Sequence, residues 1–115
     1  MKECGDMGIL GLLSDQKYGG TNMGIFATSL AIEELARVCG SAYMLVFAHI
    51  GLSTHVIERN GTDEQKDRYL PDLISGAKIG SLAMSEPASG SDVMSMRLSA
   101  TKAPGKVGHD KTNYK

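Results

Sequence analysis

Apolar positions repeat first at the spacing of a helix and, past residue 78, at the spacing of a strand. Residues 2–13 read as the end of a helix weakened by Gly5, Gly8 and Gly11, and residues 14–24 as a polar, glycine-rich connection. From about Ile25 to Val38 the polar set Ser29, Glu33, Glu34 and Arg37 falls on one face and the rest is apolar, which predicts an amphipathic helix. Gly40-Ser41 is expected to break it. Residues 42–59 then predict a second helix, apolar on nearly every side in its first half and closed by Gly61, as a helix surrounded by protein would be. Thr62 with Gln65 forms a capping-box pattern in front of a short helix through Tyr69, which Pro71 interrupts. Beyond Lys78, residues 79–84 are compact and apolar, and Met94, Met96 and Leu98 alternate with Ser95, Arg97 and Ser99. The expected class is therefore α+β, with a helical part over residues 1–78 and strands from residue 79.

At 115 residues the chain has room for one domain or for part of a larger one. A formal net charge of −1 and no basic stripe argue against nucleic acid as a partner. Cys4 and Cys39 have no metal-ligand or CxxC spacing; reduced thiols in an intracellular protein are the simplest reading, and a pairing between them stays open. Residues 1–6 lack both the apolar core of a signal peptide and the Arg-rich character of a transit peptide, so no targeting segment is expected. The most apolar run, residues 42–52, is too short to span a bilayer and reads as a buried helix; no membrane span is expected. His49 and His55 do not share a helical face, so they read as ordinary core or surface histidines and no metal site is expected. Glu33-Glu34 with Arg37 reads as a solvated or intersubunit face with i,i+4 support.

The segment Leu82-Ala83-Met84-Ser85-Glu86-Pro87-Ala88-Ser89-Gly90-Ser91-Asp92-Val93 runs an apolar stretch straight into a Pro/Gly-broken loop. Ser85, Ser89 and Ser91 offer hydroxyls, Gly90 permits close backbone approach or a positive φ, and Pro87 fixes the chain direction after Glu86. Such a loop suits a phosphorylated or polar cofactor, although ordinary turns use the same residues.

In its order, AMSEPASGSD, the loop resembles the flavin-binding signature of the acyl-CoA dehydrogenase family, with Ser89 standing where that family usually has Ala. Gly61-Thr62-Asp63-Glu64-Gln65-Lys66, Tyr69-Leu70-Pro71 and Leu73-Ile74-Ser75-Gly76 resemble the block upstream of that signature. Gly8-Ile9-Leu10-Gly11-Leu12 with Tyr18-Gly19-Gly20 is similar to the family's entry motif, and Glu33-Glu34-Leu35 to its next helix. The wording is closest to the branch acting on isovaleryl-CoA and other short branched chains.

The resemblance implies an N-terminal all-α helical-bundle part over residues 1–78 and the start of a middle β-barrel-like domain over 79–102, cut off before its completion. FAD would be held by Leu82, Ala83, Met84, Ser85, Glu86, Pro87, Ala88, Ser89, Gly90 and Ser91, largely by main chain. The Ser85 hydroxyl would meet the flavin ring, Ser91 would also border the acyl-CoA substrate, and the added Ser89 hydroxyl would lower flavin affinity. Glu86 matches a loop-fixing position. The family's catalytic base is a glutamate of a C-terminal helical domain, so no residue here is assigned as catalytic, and the chain alone is expected to be inactive. The implied reaction is α,β-dehydrogenation of an acyl-CoA thioester, in fatty acid or branched-chain amino acid catabolism. Full-length relatives form homotetramers, in the mitochondrial matrix of eukaryotes or the cytoplasm of bacteria. Residues 103–115 carry neither the family's next strand nor its Trp-Ile-Thr motif and read as a flexible tail outside the family pattern. The alternative is a non-catalytic product acting as a helical interaction module.

Overall fold

Helices carry nearly all the regular structure in the computed structural model, which describes residues 1–100. The chain divides into two units, Met1–Leu82 and a second beginning at Ala83. In the first, α1 (Lys2–Asp6) is shorter than the expected helix because Gly8 takes φ 77, a left-handed conformation that ends it before a 3-10 turn at Ile9–Gly11. The following connection is more ordered than its composition suggests. It holds a 3-10 turn, Gln16–Tyr18, capped by the Asp15 side chain on the Lys17 amide at 2.8 Å. It then doubles back, with the amides of Thr21, Asn22 and Met23 donating to the carbonyls of Gly11, Ser14 and Leu12 at 2.9, 3.0 and 2.8 Å. The Asp15 amide ties this turn to Glu58 Oε1 at 2.7 Å. Lys17 lies beside Tyr18 and Asp67; the Tyr18 hydroxyl, then the Asp67 carboxylate, push its pKa up.

Helix α2 (Gly24–Val38) forms where the periodicity places it. Its Arg37 pairs with Glu34, one turn back at i,i+3, rather than with Glu33 at i,i+4. Both partners are exposed, so the pair is worth at most about 1 kcal/mol. The break after α2 is Cys39, in an extended conformation, and not Gly40-Ser41, which form the first turn of α3 (Gly40–Phe47). The helix then widens into a π-helical segment at Ala48–Thr54 and resumes as α4 (His55–Asn60), which stops at Gly61. The wide register is visible where the His55 amide donates to the Ile50 carbonyl. It turns His49, Ile50, Ser53 and Thr54 inward together, and the Thr54 hydroxyl is satisfied by the His49 carbonyl at 2.9 Å. The run Gly40–Asn60 is thus longer than expected, and in length and mean hydropathy it would suffice to cross a membrane. Its buried His49, through the bond from that ring to Leu73, packs one side of the run against α5.

Thr62 and Gln65 form the expected capping box at the start of α5, through the Thr62 Oγ1 bond at 3.3 Å and the Gln65 Oε1 bond at 2.9 Å. The helix does not stop at Tyr69, however; it runs Asp63–Ile74, through Pro71. Proline inside a helix costs about 3 kcal/mol, but the added turns bury Leu70, Leu73 and Ile74, each worth roughly 1.5–3 kcal/mol. Burial therefore wins over the local breaker. The core gathers Leu10, Ile32, Val46 and Ile50, with Ile9, Leu13, Leu35 and Tyr43 packed around them. Gly76 closes α5 at φ 72, so tightly against the N-terminal segment that a Cβ there would lie 2.6 Å from the Met1 carbonyl oxygen. Helix α3 is less enclosed than expected, since Met44, Leu45 and Phe47 are exposed.

The expected strands do not form among the described residues. Residues 79–84 are without regular structure, and Met94 falls in a 3-10 turn at Val93–Ser95 instead of an alternating strand. A strand is stable only when a neighbour takes its hydrogen bonds, and the one bridge among the described residues links Glu86 to Ser89 within the loop itself. The tail expected at 103–115 lies outside the described residues.

Replacing Thr62 by Ala is expected to lower stability by about 0.5–2 kcal/mol through the lost cap, measured by urea unfolding. Gly76→Ala should cost more than about 1 kcal/mol in the same assay, because its positive φ and the nearby carbonyl both oppose a side chain.

Candidate functional site

The loop after residue 82 is shaped by a circuit of its own hydrogen bonds. Pro87 and Ala88 occupy the centre of a four-residue turn, closed by the Glu86 amide on the Ser89 carbonyl at 2.7 Å and by the reciprocal bond at 3.1 Å. Ser89 is buried, at 6% exposure, and its Oγ donates to the Asp92 carbonyl at 2.8 Å. The hydroxyl that distinguishes this loop from the usual Ala is thus absorbed within it. Asp92 in turn accepts from the Met94 amide at 3.2 Å and from the Ser95 hydroxyl, starting the 3-10 turn. The two carboxylate oxygens of Glu86 accept the amides of Arg97 and Leu98, each at 2.9 Å, and hold the far end of the loop to its near end.

Of the ten residues singled out from the sequence, Glu86 and Ser89 form the internal frame. Ala83, Met84, Ser85, Pro87, Ala88, Gly90 and Ser91 lie exposed in the same unit, and exposed Leu82 ends the helical one. Among the described residues, the Ser85 and Ser91 hydroxyls have no hydrogen-bond partner within the protein. Gly90 does not take the positive φ its identity allowed; a Cβ there would meet nothing within 4 Å, so its value is open space beside the backbone. The donor set on offer is therefore two hydroxyls and exposed main chain flanked by apolar side chains. These groups fit a flat, hydrogen-bonding aromatic ring. Sequence reasoning missed Asp92 and the amides of Arg97 and Leu98 as frame members. The Asp92–Met94 spacing of a side-chain-to-backbone turn was a readable signal for the first.

The helical unit holds a separate groove of about 470 Å³ between α2 and the α3–π segment, lined by Leu13, Ile25, Ile32, Tyr43, Phe47 and Ile50 among others. The hydroxyls of Thr28 and Ser29, which also line it, are turned back on their own helix, to the Gly24 and Ile25 carbonyls at 2.9 Å, so that apart from Glu33 the lining is mainly apolar. Tyr43 and Phe47 stack there with ring centroids 5.8 Å apart.

Residues 1–77 match the family described as acyl-CoA dehydrogenase, N-terminal domain. Mitochondrial isovaleryl-CoA dehydrogenase of Bos taurus is 48% identical over 101 residues, 88% of this chain and 24% of that protein. The butyryl-CoA dehydrogenase structure from Megasphaera elsdenii aligns with a TM-score of 0.80 at 31% identity, covering 90% of this chain and 28% of the other. A glutaryl-CoA dehydrogenase of Mycobacterium smegmatis in complex with FADH2 aligns with a TM-score of 0.81 at 33% identity, over 90% of this chain and 26% of the other. The chain spans about a quarter of the length of the curated relatives it matches. With the family's N-terminal domain matched over residues 1–77, the chain belongs to the acyl-CoA dehydrogenase family.

Proposed function

We propose that residues 82–91 are the flavin-binding loop of an FAD-dependent acyl-CoA dehydrogenase, and that this chain supplies the cofactor-holding side of the site. The observation that carries this reading is the division of labour in the loop. Glu86 and Ser89 face inward as frame, while Ser85, Pro87, Ala88, Gly90 and Ser91 lie exposed in the order of the signature. Bound FAD would supply the acceptor for the hydride that leaves the β-carbon of an acyl-CoA thioester as its α-proton passes to a base. Ser85 orients the ring through its hydroxyl and amide, and Ser91 borders ring and thioester. The backbone of residues 86–90 excludes water from one edge. Glu86 is not the base. Each of its oxygens accepts an amide of its own loop, so taking a proton would weaken the hold on residues 97 and 98. No residue of this chain is assigned that role.

Similarity to mitochondrial isovaleryl-CoA dehydrogenase supports a short branched acyl-CoA as substrate and a mitochondrial location in a eukaryote; the matrix and a homotetramer of the whole protein follow only from the family resemblance. A second reading, a non-catalytic helical interaction module, draws on Ile25 and Phe26, exposed at 74% and 78% on α2. The two readings differ in whether the chain takes up flavin.

The chain mixed with FAD and desalted is expected to keep flavin absorbance. Ser85→Ala and Ser91→Ala should each weaken retention several-fold, the loss of about one hydrogen bond. A colourless wild-type chain would favour the interaction module. In a full-length relative with the same loop, Glu86→Gln is expected to leave measurable dehydrogenation with flavin bound. Complete loss of turnover with the cofactor still in place would return Glu86 to candidacy as the base.

A further inference from the structure

Every described residue of the second unit, 83–100, is exposed except Glu86, which is half-buried, and Ser89, which is buried. With no apolar core among them, these residues take their shape from hydrogen bonds. Two short turns carry most of those bonds. The first, residues 86–89, is closed from both sides by the main chains of Glu86 and Ser89. The second, residues 92–95, is built on Asp92. The Asp92 carboxylate accepts from the Met94 amide at 3.2 Å and from the Ser95 hydroxyl, and the Asp92 carbonyl accepts from the Ser95 amide at 3.2 Å. Gly90 and Ser91 alone lie between the turns, and among the described residues neither forms a hydrogen bond within the protein. The Ser89 hydroxyl spans this pair, donating at 2.8 Å to the remaining lone pair of the Asp92 carbonyl. It closes a small ring of chain that contains Gly90 and Ser91 whole.

We infer that Ser89 is a positioning residue for Ser91: its hydroxyl is the strut that sets the distance between the two turns, and thereby aims the Ser91 hydroxyl at the bound flavin. This rests on the flavin reading of the loop. A buried hydroxyl needs an acceptor, but the one taken here is three residues on, across the exposed pair. Without that strut the direction of Ser91 would be left to Gly90, the residue type with the widest backbone freedom. Packing does not restrain Gly90 either, since a Cβ there would meet nothing within 4 Å. The added hydroxyl therefore raises flavin affinity, the reverse of what the resemblance implies for a serine at this position.

The test is a double-mutant cycle in the 115-residue chain, comparing wild type, Ser89→Ala, Ser91→Ala and the two together. Alanine is the family's usual residue at position 89, so the loop tolerates it, and far-UV circular dichroism checks the helices. FAD affinity is titrated by visible absorbance, and the backbone amide order parameters of Gly90 and Ser91 are measured by NMR without flavin. Ser89→Ala is expected to lower those order parameters from about 0.85 to below about 0.6. It should also weaken FAD binding about two- to tenfold, the range for fixing one more side chain on association. On the Ser91→Ala background the same change should cost nothing further, because the group it aims is gone. Independent losses that multiply in the double variant would make Ser89 a packing residue and overturn the positioning role. Unchanged order parameters in Ser89→Ala, or an FAD affinity equal to or above that of wild type, would overturn it as well. A wild-type chain that takes up no flavin would overturn the flavin reading instead, and the order parameters, which need no flavin, then decide whether the Ser89 hydroxyl holds Ser91 in place.

Discussion

Burial of the apolar edge of α5 is the constraint from which most of this structure follows. Leu73 and Ile74 can join Leu70 in the core only if the helix passes through Pro71, and the helix does so. Once its last turn is in place, the N-terminal segment must press against it backbone to backbone. Gly5, where a Cβ would run into the Ser75 carbonyl, and Gly76, hemmed in by Met1 and Leu10, mark how close that approach is. The same turn presents the Leu73 carbonyl to His49 and the Leu73 side chain to Gly80. One apolar edge thereby organises the chain's beginning, its central helix and the arm that ends the helical unit.

What was legible in the sequence was what local chemistry decides. The capping box at Thr62 and Gln65 and the amphipathic span of α2 need only neighbours within a turn or two, and both form as read. Pro71 misled because its cost is local while its compensation is tertiary. The π-helical segment left no mark in the apolar pattern, since a run of inward-facing side chains looks alike in either register. Residues 79–84 have the composition of a strand, but a strand is a relation between segments, and composition cannot supply the other partner. In the loop, the signature marks one contiguous stretch and says little about how that stretch is bonded within itself. Glu86 was readable as a loop-fixing position by resemblance; its partners, the amides at 97 and 98, and the frame role of Ser89 through the carbonyl at 92 were not, because they depend on residues outside the motif's core.

The helical unit carries more uncovered apolar surface than its own core explains. Ile25, Phe26 and Val38 on α2 and Met44 on α3 are all exposed, and the groove between these helices is lined by aromatic and aliphatic side chains. Relatives of the family are about four times as long as the stretch this chain matches. A domain whose helices are apolar on the outside as well as within is built for a context of further protein, and its stability alone is correspondingly smaller.

The Ser89 hydroxyl bears on more than the departure from the family's usual residue. Together with the reciprocal bonds between Glu86 and Ser89 and the two amides held by Glu86, it closes the loop on itself through contacts that involve no outside group. Such a loop has few alternative shapes to surrender when a ligand arrives. The conformational entropy that a slack loop would lose on binding has already been lost in folding. A polar side chain added within a motif can in this way act on affinity from the unbound state, without ever touching the bound molecule.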